Sequence, residues 1–228
     1  MRFHIITIFP EMFGSYVNES ILGRAVTSKK ISFKFYNPRD FIKGPRVNKN
    51  NYKPVDDRPY GGGPGMVMRA EPILKAVEKA LKTVKGKNFQ IINFIPTAEK
   101  FTTDAAKKIS KKYTDIILIC GRYEGIDARV DKILKTKKFS IGDYVVTGGE
   151  LPAMILIDSI SRQIPGVLGK YESLEEERVS SSEVYTRPEI LKWPPTSAKA
   201  KARQRNYKVP KVLLSGNHKL IDEWKQGK

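Results

Sequence analysis

Residues 115–127 read Asp115-Ile116-Ile117-Leu118-Ile119-Cys120-Gly121-Arg122-Tyr123-Glu124-Gly125-Ile126-Asp127. The unbroken apolar run is too short for a helix and has the β-branched content of a buried strand, and it stops at a glycine turn. Phe89 to Ile95 repeats the pattern, and Phe3 to Phe9 reads as a third strand. Between them the period changes: Ile73, Val77, Leu81 and Val84 share one helical face, and Thr103 to Lys112 reads as a basic amphipathic helix. Ile31 to Tyr36 alternates like a half-buried strand, and Tyr144-Val145-Val146 reads as a short one. A helix from Leu151 to about Ile164, apolar nearly all round, is expected to be buried. This α/β alternation predicts a mostly parallel sheet covered by helices.

The chain has 228 residues, enough to build a core without disulfide or metal staples. Forty-two Lys and Arg against 24 Asp and Glu give a net charge of +18, with 40% hydrophobic and 10% aromatic residues. That apolar content excludes a disordered polycation, and the charge points to a polyanionic partner, nucleic acid before a membrane surface. A single cysteine excludes an intrachain disulfide framework and a multi-cysteine zinc site, and Cys120 reads as a core thiol. No secretory signal or membrane-length apolar run is visible, so a soluble, cytoplasmic protein with no membrane partner is expected.

Three glycine-rich segments stand out. Residues 55–66 include Asp56-Asp57-Arg58-Pro59-Tyr60-Gly61-Gly62-Gly63-Pro64-Gly65, but no buried strand precedes these glycines, so they are a poor dinucleotide loop; there is no P-loop either. Residues 120–127 follow a buried strand, and residues 140–152 contain Gly142, Gly148 and Gly149. Open α/β sheets bind ligands beyond the carboxyl ends of their strands, and glycines there let main-chain groups approach a ligand, so the last two segments predict a pocket.

Beyond Pro165 the texture changes. Residues 170–189 are polar and acidic, whereas residues 192–211 carry seven cations and no acid, interleaved with Trp193 and Tyr207. Aromatic faces among cations favour RNA contact over a merely solvated charge run. A short helix from about Lys219 to Lys225 is expected near the end.

Val55–Met66, Cys120–Asp127, Ser140–Met154, Ser161–Gly169, Tyr185–Glu189 and Val212–His218, with Phe9–Phe13 and Gly23–Val26, resemble in order the signature segments of the bacterial tRNA (guanine-37-N1)-methyltransferases, the TrmD type of the SPOUT superfamily. The resemblance implies an α/β fold whose mostly parallel sheet carries a deep C-terminal trefoil knot, followed by a small helical C-terminal domain, here abbreviated. The expected organisation is a knotted domain over 1–165, an acidic linker over 166–188 and a small basic tRNA-binding domain over 189–228. It also implies a homodimer with active sites shared between chains, S-adenosylmethionine as methyl donor, an association with Mg2+, and methylation of N1 of the guanosine 3′ to the tRNA anticodon. No acidic cluster in the sequence predicts a closed metal cage.

Carried over by position, the cofactor pocket comprises Phe94, Ile95, Pro96, Gly121, Tyr123, Glu124, Gly125, Ile141, Gly142, Tyr144, Val146, Gly148, Gly149 and Pro152. Guanine N1 must lose its proton before it can attack a methyl group, and negative charge then builds on O6. Arg162 matches the family's arginine at O6. The family's aspartate base falls on Glu177 in this chain, with Glu175 and Glu176 beside it. Arg24, Lys199, Lys201, Arg203, Arg205, Asn217 and His218 are the expected tRNA contacts. The chain departs from the family pattern at Thr97-Ala98-Glu99, in a longer basic loop over 43–53, and in a basic stretch over 192–209 that reads as inserted. Two other readings fit less: a non-enzymatic RNA-binding protein, which leaves the glycine-rich strand ends and Arg162 unexplained, and a knotted methyltransferase acting on another RNA.

Overall fold

The computed structural model describes residues 1–42, 53–86, 88–168, 183–194 and 205–227. The chain divides into two units, Met1–Gly169 and Lys170–Lys228. In the first unit the elements run β1 (Arg2–Ile6), α1 (Gly14–Val17), α2 (Ser20–Thr27), β2 (Ser32–Tyr36), β3 (Asp56–Asp57), β4 (Val67–Met68), α3 (Ala70–Leu81), β5 (Phe89–Phe94), α4 (Thr103–Lys112), β6 (Asp115–Ile119), α5 (Ala128–Leu134), β7 (Lys137–Phe139) and α6 (Glu150–Arg162).

Five strands form one sheet in the order β2-β1-β6-β5-β7, and every pairing is parallel. The predicted parallel α/β architecture is thus present. Strand β6 lies inside the sheet with all five residues buried. Successive side chains of a strand point to opposite faces. Accordingly Ile116, Leu118 and Cys120 pack in a cluster with residues of α2, α4 and α6, while Ile117 and Ile119 pack in a second cluster with residues of α3 and α5. Helices on both faces explain why the β6 sequence is apolar without alternation.

The amino ends of the central strands carry a buried polar network. Asp115, fully buried, accepts from Arg2 at 2.8 Å, from Thr114 at 2.8 Å and from His4 Nε2 at 2.9 Å, and His4 Nδ1 lies 3.2 Å from the Tyr36 hydroxyl. Burial alone would raise the Asp115 carboxyl, but the hydrogen bonds from Arg2, His4 and Thr114 outweigh it and hold the group below the usual carboxylate range. Burial pushes the His4 imidazole below its ordinary value despite the Asp115 hydrogen bond.

Three expectations change. Tyr144-Val145-Val146 is not a strand: Tyr144 and Val145 are exposed on a bent segment, and the fifth strand is instead β7, Lys137-Lys138-Phe139. That strand is too short and too polar for hydrophobic periodicity to reveal it. β2 is an edge strand with three of its five residues exposed rather than half buried in alternation. Helix α6 buries Pro152, Ala153, Leu156, Ile157, Ile160 and Ser161, yet Leu151 is 50% and Ile155 44% exposed, so a single chain covers only one of its apolar faces.

In the second unit, β8 (Ile190–Trp193) and β9 (Arg205–Lys208) form an antiparallel pair, followed by α7 (Lys211–Leu214) and α8 (His218–Lys225). The last of these is the helix expected near Lys219 to Lys225. The strand pair falls where the sequence shows a run of cations with Trp193 and Tyr207 but no strand periodicity. Among the described residues no helix is long and apolar enough to cross a membrane.

Candidate active site

The three glycine-rich segments, distant in sequence, meet at the carboxyl end of the sheet. The turn after β6 is held from both sides. On one side Glu124 N–H donates to Met66 O at 3.0 Å, Met68 N–H to Gly125 O at 2.9 Å and Asp127 N–H to Met68 O at 2.9 Å. On the other, Gly149 N–H donates to Gly121 O at 2.8 Å, and Arg122 bridges Gly148. Gly149 admits no side chain: a Cβ there would sit 2.7 Å from Cys120 Cα and 2.9 Å from Gly121 N, both backbone atoms.

A buried ion pair locks this crossing. Arg122 Nε donates to Glu150 Oε2 at 2.8 Å, and Thr7 Oγ1 donates to Glu150 Oε1 at 2.8 Å. Glu150 opens α6 and is fully buried, and the Arg122 guanidinium lies over the Phe9 ring, 4.8 Å from its centroid. The interaction joins the ends of β1 and β6 to the start of α6. Cys120 lies beneath it, and burial, reinforced by the Glu150 charge, pushes its thiol well above the usual range, as suits a core thiol.

The loop from Ser140 to Gly149 closes the opposite wall. Ile95 N–H donates to Phe139 O at 3.0 Å, Phe101 N–H to Ser140 O at 2.8 Å and Ser140 N–H to Glu99 O at 2.9 Å, so residues 95–101 run along β7 and its continuation. Lys100 pairs with Asp143 at 2.5 Å and Lys137 with Glu99 at 2.5 Å. Glu99, one of the departures from the family pattern, thus acts in holding this wall.

These walls enclose a cavity of about 480 Å³, within the size range of small-molecule sites. Thirteen of the fourteen residues expected around a cofactor line it: Phe94, Ile95 and Pro96 from the end of β5; Gly121, Tyr123, Glu124 and Gly125 from the turn after β6; Ile141, Tyr144, Val146, Gly148 and Gly149 from the closing loop; and Pro152 from α6. Gly142 does not line it; the Tyr144 ring packs against that glycine instead. The sequence reading missed Asn93, Asp131 and Lys138 on the cavity wall. Asp131 accepts from Asn93 at 3.0 Å and from Thr136 at 2.5 Å and pairs with Lys138 at 3.1 Å. The signal available was a polar Asn93 inside an otherwise apolar strand. The Arg122–Glu150 pair was also missed as a device, although both residues lie within the singled-out segments.

Arg162 is not at this cavity. It ends α6, whose first turn contributes Pro152, so the helix carries it about 15 Å away along its axis. Arg24 is exposed on α2 beside a shallow surface depression lined by Asn18, Ser20 and Gly23. In the second unit Arg205 is exposed on β9, His218 is exposed in the first turn of α8, and Asn217 caps that helix by accepting from Leu220 N–H at 3.3 Å. Glu177, Lys199, Lys201 and Arg203 lie outside the described residues.

A five-stranded parallel α/β protein with a cavity built from main chain and apolar side chains at the carboxyl ends of its strands belongs to the open α/β class, whose members bind small ligands at this edge. The family model described as tRNA (Guanine-1)-methyltransferase TrmD matches residues 1–228. A tRNA (guanine-N(1)-)-methyltransferase of Clostridioides difficile (strain 630) is 47% identical over 99% of this chain and 91% of its own length, and that of Buchnera aphidicola subsp. Acyrthosiphon pisum (strain APS) is 44% identical over 98% and 87%. The crystal structure of tRNA (m1G37) methyltransferase from Aquifex aeolicus superposes with a TM-score of 0.74 at 36% identity, covering 99% of this chain and 87% of that one. The chain belongs to the TrmD family of methyltransferases.

Proposed function

We propose that this protein transfers the methyl group of S-adenosylmethionine to N1 of guanosine 37 in tRNA. The observation that carries this reading is the cavity itself. Its volume suits a nucleoside derivative, its walls combine apolar contacts from Ile95, Ile141, Val146 and Pro152 with glycine main chain, and it lies in a member of the TrmD family. Ile95, Gly121, Tyr144, Val146, Gly148 and Gly149 are the groups to hold the adenosine. When bound, S-adenosylmethionine would supply an electrophilic methyl group whose bond to the sulfonium sulfur breaks as the bond to N1 forms, leaving a neutral thioether.

The protein's own part is proton transfer and charge stabilisation. Glu177 takes the guanine N1 proton, leaving the ring nitrogen with a lone pair to form the new bond to carbon, and Arg162 donates to O6 where negative charge develops. Because Arg162 is carried away from the cavity of its own chain, the reading requires a homodimer in which one protomer supplies the pocket and its partner the arginine. The exposed apolar side chains of Phe9, Met12, Leu151 and Ile155 give such a dimer a surface to bury, beside the Tyr16 hydroxyl bonded to Asp158 at 3.0 Å. A deep trefoil knot in the C-terminal part of the sheet belongs to the same reading. So do a basic tRNA-binding segment over 189–228 and an acidic linker over 166–188.

Among the described residues no group of three or more His, Cys, Asp or Glu is placed to hold a metal. The described residues therefore offer Mg2+ no cluster of ligands. The test is product analysis on defined tRNAs that carry guanosine at position 37. Wild-type protein yields 1-methylguanosine there, and Glu177→Gln abolishes transfer while leaving cofactor affinity nearly unchanged. Wild-type turnover in that variant would remove Glu177 from its role, and methylation at another site or none at all would overturn the activity.

A further inference from the structure

The second unit contains a device that the charge run concealed. Strands β8 and β9 pair with Leu191 opposite Tyr207 and Trp193 opposite Arg205. Directly opposed residues share a face of an antiparallel pair, as do residues two apart on one strand. Leu191, Trp193, Arg205 and Tyr207 therefore occupy one face, with Trp193 and Tyr207 as diagonal neighbours, a separation of about 7–8 Å between backbones. Both rings are exposed, Trp193 by 58% and Tyr207 by 54%. No acidic residue occurs between Ile190 and Ile221, a span holding eight Lys and Arg.

Water-exposed aromatic rings beside a guanidinium, within a segment of one charge sign, match one kind of ligand: a flat π-system joined to phosphates. A paired A-form helix does not present base faces to a protein, whereas a single-stranded loop does. We propose that the Trp193–Arg205–Tyr207 face of this hairpin is a stacking site for an unpaired RNA base. One ring lies against each side of the base or of successive bases, and Arg205, on the same face, reaches a flanking phosphate. The proposal rests on tRNA being the substrate and assigns to this hairpin the recognition of unpaired loop nucleotides, a task distinct from the salt-sensitive hold on phosphates.

The protein has two tryptophans, and Trp224, whose ring is 6.2 Å from that of Tyr185, can be replaced conservatively. In Trp224→Phe protein the emission of Trp193 is followed during titration with an anticodon stem-loop RNA and with a blunt RNA duplex of equal length, without S-adenosylmethionine. Quenching by the stem-loop and little by the duplex is expected. Loss of one base–aromatic stack should weaken stem-loop binding of Trp193→Ala by about five- to 150-fold. Trp193→Phe should restore most of it, and the salt slope should stay that of the parent, because stacking releases no counterions. Equal quenching by both RNAs, no quenching, or parental affinity in Trp193→Ala would each overturn the proposal. Selective quenching by a protein that methylates no guanosine would keep the stacking site and sink the activity. Methylation with Trp193 silent would do the reverse.

Discussion

Arg122 on the turn after β6 and Glu150 at the start of α6 form a 2.8 Å ion pair whose acidic partner is fully buried and held also by Thr7. The pair fixes where the closing loop of the cavity returns to the sheet. Breaking a buried pair strands a charge and costs about 3–5 kcal/mol, whereas removing both charges together costs less. Arg122→Met is therefore expected to lower stability by about 3 kcal/mol and to weaken S-adenosylmethionine binding, and Arg122→Met with Glu150→Leu should recover part of the stability. Denaturant unfolding and calorimetric cofactor titration of the single and double variants measure both effects.

Gly148→Ala and Gly149→Ala should both be damaging, by different routes. At Gly149 the new methyl group meets backbone at Cys120 and Gly121, which cannot yield, while at Gly148 it meets Arg122 and Glu150, the two partners of the ion pair. Overpacking of this kind costs about 1–3 kcal/mol. Removing the pair with Arg122→Met and Glu150→Leu should therefore relieve Gly148→Ala and leave Gly149→Ala as damaging as before, as thermal unfolding of the combined variants measures; equal relief would show that the loop relaxes away from β6.

A shared active site predicts complementation. Val146→Asp places a carboxylate in the apolar cavity, and Arg162→Ala removes the distant guanidinium, so each variant alone should be inactive. Co-refolded in equal amounts, half of the dimers are mixed and each retains one intact site, giving about a quarter of wild-type activity. Zero recovery in verified mixed dimers would place pocket and arginine in the same chain.

The Asp115–His4 network predicts acid sensitivity. The folded His4 imidazole lies below its ordinary value, so as pH falls below about 6.5 the unfolded chain binds a proton that the folded chain resists, and stability drops. Asp115 is also held low, so its stabilisation is complete above its ordinary value and is lost as pH falls through the lower folded one. His4→Phe should be less stable at neutral pH yet show a flatter loss between pH 7 and 5. The other histidine, His218, is exposed on α8. Melting temperatures of both proteins across that range provide the comparison.

Much of the framework is legible along the chain because burial on both faces leaves a local mark. The strands β5 and β6 are apolar runs, and the helices α3 and α4 show their period where one face is buried. Where burial leaves no periodic mark the reading fails: β7 buries only Phe139, and the β8–β9 pair is exposed throughout.

By itself the sequence determined the parallel α/β class, the family, and which glycine turns end the strands, since each depends on residues within a few positions of one another or on motifs in order. Only the tertiary structure decided that residues 120–127 and 140–149 meet around one cavity, with Met66 and Met68 bracing the turn between them, that Glu150 is bound to Arg122 and Thr7, and that Arg162 lies away from the cavity. It also put Trp193 and Tyr207 on one face. The run Asp115–Asp127 announces a strand and a turn because hydrophobic burial is written locally. What the turn touches is set by contacts between segments far apart in the chain, and no local pattern encodes those.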